Sequence, residues 1–105
     1  MGQTVIVAYK PKPGKEDALK ELMKTHLPRL KDQGLVRNKD SYIMEAADGT
    51  IVEVFEWLSE EAIQKAHYNP VVQQMWSEYS AVCDYVSVGN LAEAANLFSS
   101  FKALN

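Results

Sequence analysis

A chain of 105 residues is long enough for one domain with a single hydrophobic core and too short for two. With 47% hydrophobic and 24% charged residues it has an ordinary globular composition, which excludes a disordered or collagen-like chain. The longest apolar run, Val5 to Tyr9, falls far short of the roughly 20 residues that cross a bilayer, and the net charge of −3 argues against nucleic acid as a partner. No membrane partner and no secretory leader are expected. The lone cysteine, Cys83, has no partner for an internal disulfide and cannot build a thiolate metal site alone, which fits a reducing, cytoplasmic setting. Charge is unevenly spread, with an excess of cations before residue 40 and of anions after it, a pattern that solvated helix faces explain as well as partner steering does.

Thr4 to Tyr9 is β-branched and apolar, and the run from Lys10 through Pro11, Lys12 and Pro13 to Gly14 closes it, which predicts a first strand. From Lys15, Leu19, Leu22, Met23, Leu27 and Leu30 recur at three-and-four spacing until Gln33 and Gly34, which predicts a long helix. Pro28 inside it predicts a kink or a tightened last turn starting there. Val36 to Ala46 and Thr50 to Trp57 read as two antiparallel strands joined by the tight turn Ala47-Asp48-Gly49. Ser59 is a helix cap followed by two glutamates, so a second helix runs to about Tyr68. Asn69 and Pro70 then restart a third, whose face reads Val72, Met75, Trp76, Tyr79 and Val82. Tyr85 to Val88 reads as a last strand, and the spacing from Leu91 to Phe101 predicts a short helix followed by an extended end.

This order, strand-helix-strand-strand-helix-strand, is the split unit of a ferredoxin-like α+β fold, an antiparallel sheet with helices on one face. One domain spans residues 1–105, with its core over 4–88 and an extension over 89–105. Both faces of the first and third strands are largely apolar, so the face away from the helices needs cover, from a second copy of the chain or from the tail. A homodimer with facing sheets is the expectation, with an apolar pocket between helices and sheet in each protomer.

The stretch Phe55-Glu56-Trp57-Leu58-Ser59-Glu60-Glu61-Ala62, then Ala66-His67-Tyr68-Asn69-Pro70-Val71-Val72 and Trp76, resembles the antibiotic biosynthesis monooxygenase-like family of dimeric α+β barrel proteins. Lys12-Pro13-Gly14-Lys15-Glu16 after the first strand is similar too, and the likeness spans roughly residues 4 to 88. Members of this family include oxygenases that use no metal or flavin on phenolic or quinol substrates, haem-degrading enzymes, and proteins without established activity. The resemblance therefore implies a monooxygenase acting on a small aromatic, quinol or polyketide-like substrate without a bound cofactor. A haem-degrading enzyme fits less well, because the later helix has Met75 and Trp76 where a histidine ligand is needed and the first strand has no Asn. A dimeric binding or structural module without catalysis is the alternative from another class.

Oxygenation without a cofactor asks for a base to deprotonate a phenol or quinol and an apolar cavity to hold the anion with dioxygen. His67, at the motif position and four residues after Ile63, is the candidate base, against a structural role at the Asn69-Pro70 corner. His26, four residues after Leu22 and three after Met23, is the second choice, with packing beside Pro28 as its competing role. Trp57, Trp76, Tyr79 and Tyr85 are candidates for an aromatic wall, although aromatic residues at helical spacing are usually core. Asn69 is a candidate substrate contact whose position before Pro70 suits helix capping better. The phenols of Tyr9 and Tyr42 are strand groups within reach of the cavity. Glu53 and Glu56 are an odd number of residues apart and so face opposite sides of their strand. The inward one can orient a histidine or pair with Lys39 or Arg37, with a structural ion pair as the default. Two histidines far apart in sequence suggest no metal-ligand cluster, and no glycine-rich phosphate loop is present.

Overall fold

A computed structural model describes residues 2–105. Five strands, β1 (Gln3–Pro11), β2 (Tyr42–Glu45), β3 (Ile51–Trp57), β4 (Cys83–Val86) and β5 (Lys102–Ala103), form one antiparallel sheet in the order β4-β1-β3-β2-β5. Three helices, α1 (Glu16–Asp32), α2 (Glu60–Ala66) and α3 (Pro70–Val82), complete the ferredoxin-like α+β fold. No helix among the described residues is long and apolar enough to cross a membrane.

Local chemistry sets most element borders. Gly34, at φ 69°, ends α1: its N–H donates to Lys31 O at 3.0 Å while Leu35 N–H reaches Leu30 O at 3.1 Å, a left-handed cap. Tightening therefore begins at Gln33, five residues beyond Pro28, because Pro28 and Lys24, whose carbonyl it frees, both sit on the exposed side of α1. Ser59 Oγ accepts from Ala62 N–H and opens α2; Asn69 Oδ1 accepts from Val71 and Val72 N–H and opens α3. In the β2–β3 turn, Asp48 Oδ1 accepts from Thr50 N–H and Gly49 takes φ 91°.

Four expected elements differ, the first being β1, which runs on through Lys10 and Pro11 because these pair with Asp84 and Cys83 at the sheet edge. The strand expected from Val36 keeps only a bridge from Val36 to Trp57 before the chain leaves the sheet, and the ladder resumes at Tyr42. The four polar residues Arg37 to Asp40 have no apolar face to bury, and Lys39 and Arg37 turn instead to Glu56, at 2.6 and 3.5 Å. β4 begins two residues early, directly after α3, because Cys83 and Asp84 pair with Pro11 and Lys10 of β1 and Ser87 caps a 3₁₀ turn. The tail helix expected from Leu91 is reduced to one 3₁₀ turn, Ala92–Ala95, after which β5 pairs along the edge of β2. Asn105 fastens that edge, its Nδ2 donating to Ser41 O and its Oδ1 accepting from Ile43 N–H.

The tail's path answers part of the two-faced-sheet problem. Leu91 and Phe101 cover Ala8, Val52, Met44 and Val86 on the face opposite the helices. The next row of that face, Ile6 and Tyr42 flanking Val54 in register, stays outside this cover, with Ile6 and Tyr42 exposed.

Candidate functional site

The large core lies between the sheet and α1 and α3, where Leu19, Met23 and Leu30 of α1 meet Val72, Met75 and Tyr79 of α3 over Tyr9, Ile51 and Phe55. Beside it is a cavity of about 340 Å³, a size suited to a small organic molecule. Alternating positions of β1 and β3 supply its floor, Val5, Val7 and Tyr9 from one and Phe55 and Trp57 from the other, since every second side chain of a strand faces the helices. Trp76 of α3, Tyr85 of β4 and His26 of α1 complete the lining.

His26 is the polar centre of this wall. Its ring meets Phe55 edge-on at 5.2 Å and Tyr79 edge-on at 5.6 Å, and the residue is buried. Its Nδ1 lies 2.8 Å from Oε1 of Glu53, a close but oblique approach without aligned hydrogen-bond geometry. The same oxygen accepts a hydrogen bond from the Tyr9 phenol at 3.1 Å. Glu53 is fully buried, and its other oxygen, Oε2, has no partner. Nδ1 is thus the ring nitrogen beside Glu53, while the ring also lines the cavity.

The surrounding phenols are held protonated. Burial pushes the Tyr9 hydroxyl far up, with the Glu53 charge adding to it, and burial and Glu53 do the same to Tyr79. Tyr85, half-buried at the cavity edge, is pushed up to about 12 by burial, with smaller contributions from Cys83 and Glu53. These groups therefore act as donors, not bases. Cys83 is also unfitted for nucleophilic work, since burial pushes its thiol up to about 11 and its Sγ lies 3.2 Å from Tyr79 O as a donor. A group whose folded value is raised stabilises the fold fully below its unfolded value and loses that contribution as pH rises through the folded one. The chain is thus expected to unfold cooperatively in alkali, in a window opening near pH 10.0, the ordinary phenol value, and reaching about 12 as Tyr85 ionises. Circular dichroism and phenolate absorbance should change together across it. Phenolate appearing at the ordinary value from Tyr9 and Tyr79 with the fold intact would contradict this burial.

Five of the aromatic and imidazole groups named from sequence, Tyr9, Trp57, Trp76, Tyr85 and His26, meet in this one cavity, whereas Tyr42 is exposed on the other sheet face and outside the lining. Tyr79 lies beneath it, fully buried, with its hydroxyl donating to Leu22 O at 2.9 Å and its ring 5.4 Å from that of Tyr9. Asn69 is outside the lining: its Oδ1 caps α3 and its Nδ2 donates to Gln33 Oε1 at 3.1 Å. His67 is exposed at the end of α2 and also outside the lining, with its ring edge-on at 5.4 Å to that of Trp76, which is a lining residue. Of the two glutamates, Glu53 is the inward one that meets a histidine, and Glu56 the outward one that pairs with Lys39 and Arg37. Val5, Val7 and Phe55 were not singled out as lining residues, because alternation alone does not say which face meets the helices. Among the described residues, no group of three or more His, Cys, Asp or Glu side chains is arranged to hold a metal ion.

No protein-family model matches the chain, and no curated protein matches it. Among solved structures the chain is similar to that of Rv0793 from Mycobacterium tuberculosis, with a TM-score of 0.63 over 88% of this chain and 99% of that one. At 17% sequence identity this likeness is one of fold, a small α+β domain with an antiparallel sheet.

Proposed function

We propose that the chain is an oxygenase for a small neutral phenol or quinol, working by proton abstraction without a bound cofactor, with His26 as its base. The observation that carries this reading is a buried imidazole in the wall of a cavity otherwise lined by aliphatic and aromatic side chains. The sequence resemblance to the antibiotic biosynthesis monooxygenase-like family points the same way. His67, the base the motif position suggests, is the rival assignment.

The chemistry needs only what such a cavity offers. Nε2 takes the proton of the bound hydroxyl, and the electron-rich anion passes one electron to dioxygen in an apolar space. The aryloxyl radical and superoxide join at a ring carbon as a peroxide anion, which receives the proton back from His26. The resulting hydroperoxide loses water to leave a carbonyl at that carbon. Phenol plus dioxygen thus gives quinone plus water, with no external reductant. Tyr9 and Tyr85, protonated, and the walls from Trp57 and Trp76 hold the ring without offering a competing base.

Charge restricts the substrate. No Lys or Arg lines the cavity, and a Glu53 carboxylate lies directly behind His26. A ligand carboxylate about 6 Å from Glu53 is repelled by about 3 kcal/mol at an effective dielectric near 20, roughly a 100-fold loss of affinity before desolvation is added. The test is oxygen uptake by metal-free and flavin-free protein across a panel of naphthols and naphthoquinols and their carboxylated analogues, with binding followed by Trp fluorescence. Saturable uptake with the neutral compounds and about 100-fold weaker binding of the carboxylated ones are expected. Binding of the neutral compounds without uptake would instead make the chain a non-catalytic binding module.

We further propose that a second copy covers the remainder of the outer sheet face, where Ile6 and Tyr42 are exposed beside the tail that carries the exposed Leu97 and Phe98. Sedimentation at micromolar concentration should give a dimer, and Ile6→Glu should shift it toward monomer. A wild-type monomer under those conditions would remove the facing-sheet arrangement.

A further inference from the structure

A hydrophobic layer gives no reason for Glu53. It occupies the middle of β3, paired in register with Val7 of β1 and Ile43 of β2, and points fully buried toward the helices. A carboxylate in such a place is costly unless its oxygens are satisfied, yet only Oε1 has polar neighbours. We infer that Glu53 is a positioning residue that holds His26 in the tautomer with hydrogen on Nδ1, so that the Nε2 lone pair faces the cavity, and that Tyr9 anchors Glu53. The inference rests on the reading of His26 as the base.

The hydrogen inventory around Oε1 supports it. Tyr9 carries a hydroxyl that burial keeps protonated, and its hydrogen bond goes to Oε1. Nδ1 lies 2.8 Å from the same oxygen in an oblique approach, and at that distance a nitrogen lone pair beside a carboxylate oxygen is repelled whereas an N–H hydrogen is attracted, so the contact favours hydrogen on Nδ1. Nε2 is then the acceptor. When it takes a proton from a bound hydroxyl, the imidazolium lies against the Glu53 carboxylate, so the charge that forms in the reaction is met by one already in place. The opposite arrangement, with hydrogen on Oε1 given to Nδ1, would put hydrogen on Nε2 and present a donor to the cavity.

Nitrogen-15 NMR of the full chain decides between the two, because there are only two histidines and His67→Gln assigns their signals. Long-range proton–nitrogen correlations report which ring nitrogen carries the hydrogen, with no need for turnover. The expected result is His26 with hydrogen on Nδ1 in the wild type, and a mixture of tautomers in Glu53→Gln, whose amide can accept from or donate to Nδ1. Tyr9→Phe, which keeps the aromatic packing, should weaken the preference without reversing it. With an active substrate, Glu53→Gln should lower kcat by about 100-fold or more, with KM changed far less. Hydrogen on Nε2 in the wild type, or an unchanged tautomer in a folded Glu53→Gln variant, would overturn the inference. If the variant does not fold, the wild-type spectrum alone still decides. A correct tautomer without oxygen uptake on any substrate would sink the oxygenase reading and leave the positioning geometry standing.

Discussion

His26→Leu is expected to destabilise the fold by about 1–3 kcal/mol, because it removes the imidazole beside the fully buried Glu53 and leaves that carboxylate with the Tyr9 hydroxyl as its one polar neighbour. The triple variant His26→Leu, Glu53→Leu, Tyr9→Phe should recover most of that loss and come within about 1 kcal/mol of the wild type or exceed it, since a buried polar cluster replaced by apolar groups of similar size is often neutral or stabilising. Tyr9 belongs in the set because its hydroxyl donates to Glu53 and would otherwise be left unpaired. Screening by solvent does not reduce the effect, as both side chains of the pair are almost fully enclosed. Urea unfolding of the wild type, the single variant and the triple variant closes the cycle. A triple variant as unstable as the single one would mean that the cluster is there to hold the fold. Recovery would mean that the protein carries three polar groups in its core which the fold does not require, as expected where they serve chemistry.

The element order was legible because nearly every border has a local chemical signal: Gly34, Asp48 with Gly49, Ser59, and Asn69 with Pro70 all act where their side chains or φ values predict. Borders set by long-range pairing were not legible. β4 starts where Pro11 and Lys10 of β1 wait for it, and the tail abandons its helical spacing because Leu91 and Phe101 are drawn onto the outer sheet face. The site shows the same division. The odd spacing of Glu53 and Glu56 says that one faces inward, but only the register of β3 against β1 identifies it as Glu53. The two histidines differed in a signal that sequence does contain. His26 follows Leu19 by seven residues and Met23 by three and precedes Leu30 by four, which puts it in the middle of the buried stripe of a five-turn helix, where an ionisable group needs a partner. His67 comes one residue after Ala66, the last buried position of a two-turn helix, and so turns away from that face. The motif resemblance marks His67 and the helix phase marks His26, and of the two it is the helix phase that reports burial.

On a substrate that supports oxygen uptake, His26→Gln is expected to reduce kcat by about 10²–10⁴-fold, the range a positioned general base supplies. Glutamine is the informative replacement, because its amide can still donate toward Glu53 Oε1 and so spares much of the stability lost with leucine, while it cannot accept a proton. KM should change far less than kcat, since a base acts mainly on the transition state and the binding walls, Val5, Val7, Phe55 and Trp57, are untouched. His67→Ala measured beside it separates the two histidines. His67 touches the cavity wall through its edge-on contact with Trp76, so its removal should act by loosening that wall, with a modest rise in KM and kcat within about threefold, far short of the loss of a base. The reverse pattern, with activity kept in folded His26→Gln and lost in His67→Ala, would move the base to the motif histidine and require Trp76 to swing aside on binding. Equal small effects from both would leave proton abstraction to water or to the substrate's own ionisation, and the cavity's contribution would then be to exclude water and hold the aromatic ring beside dioxygen.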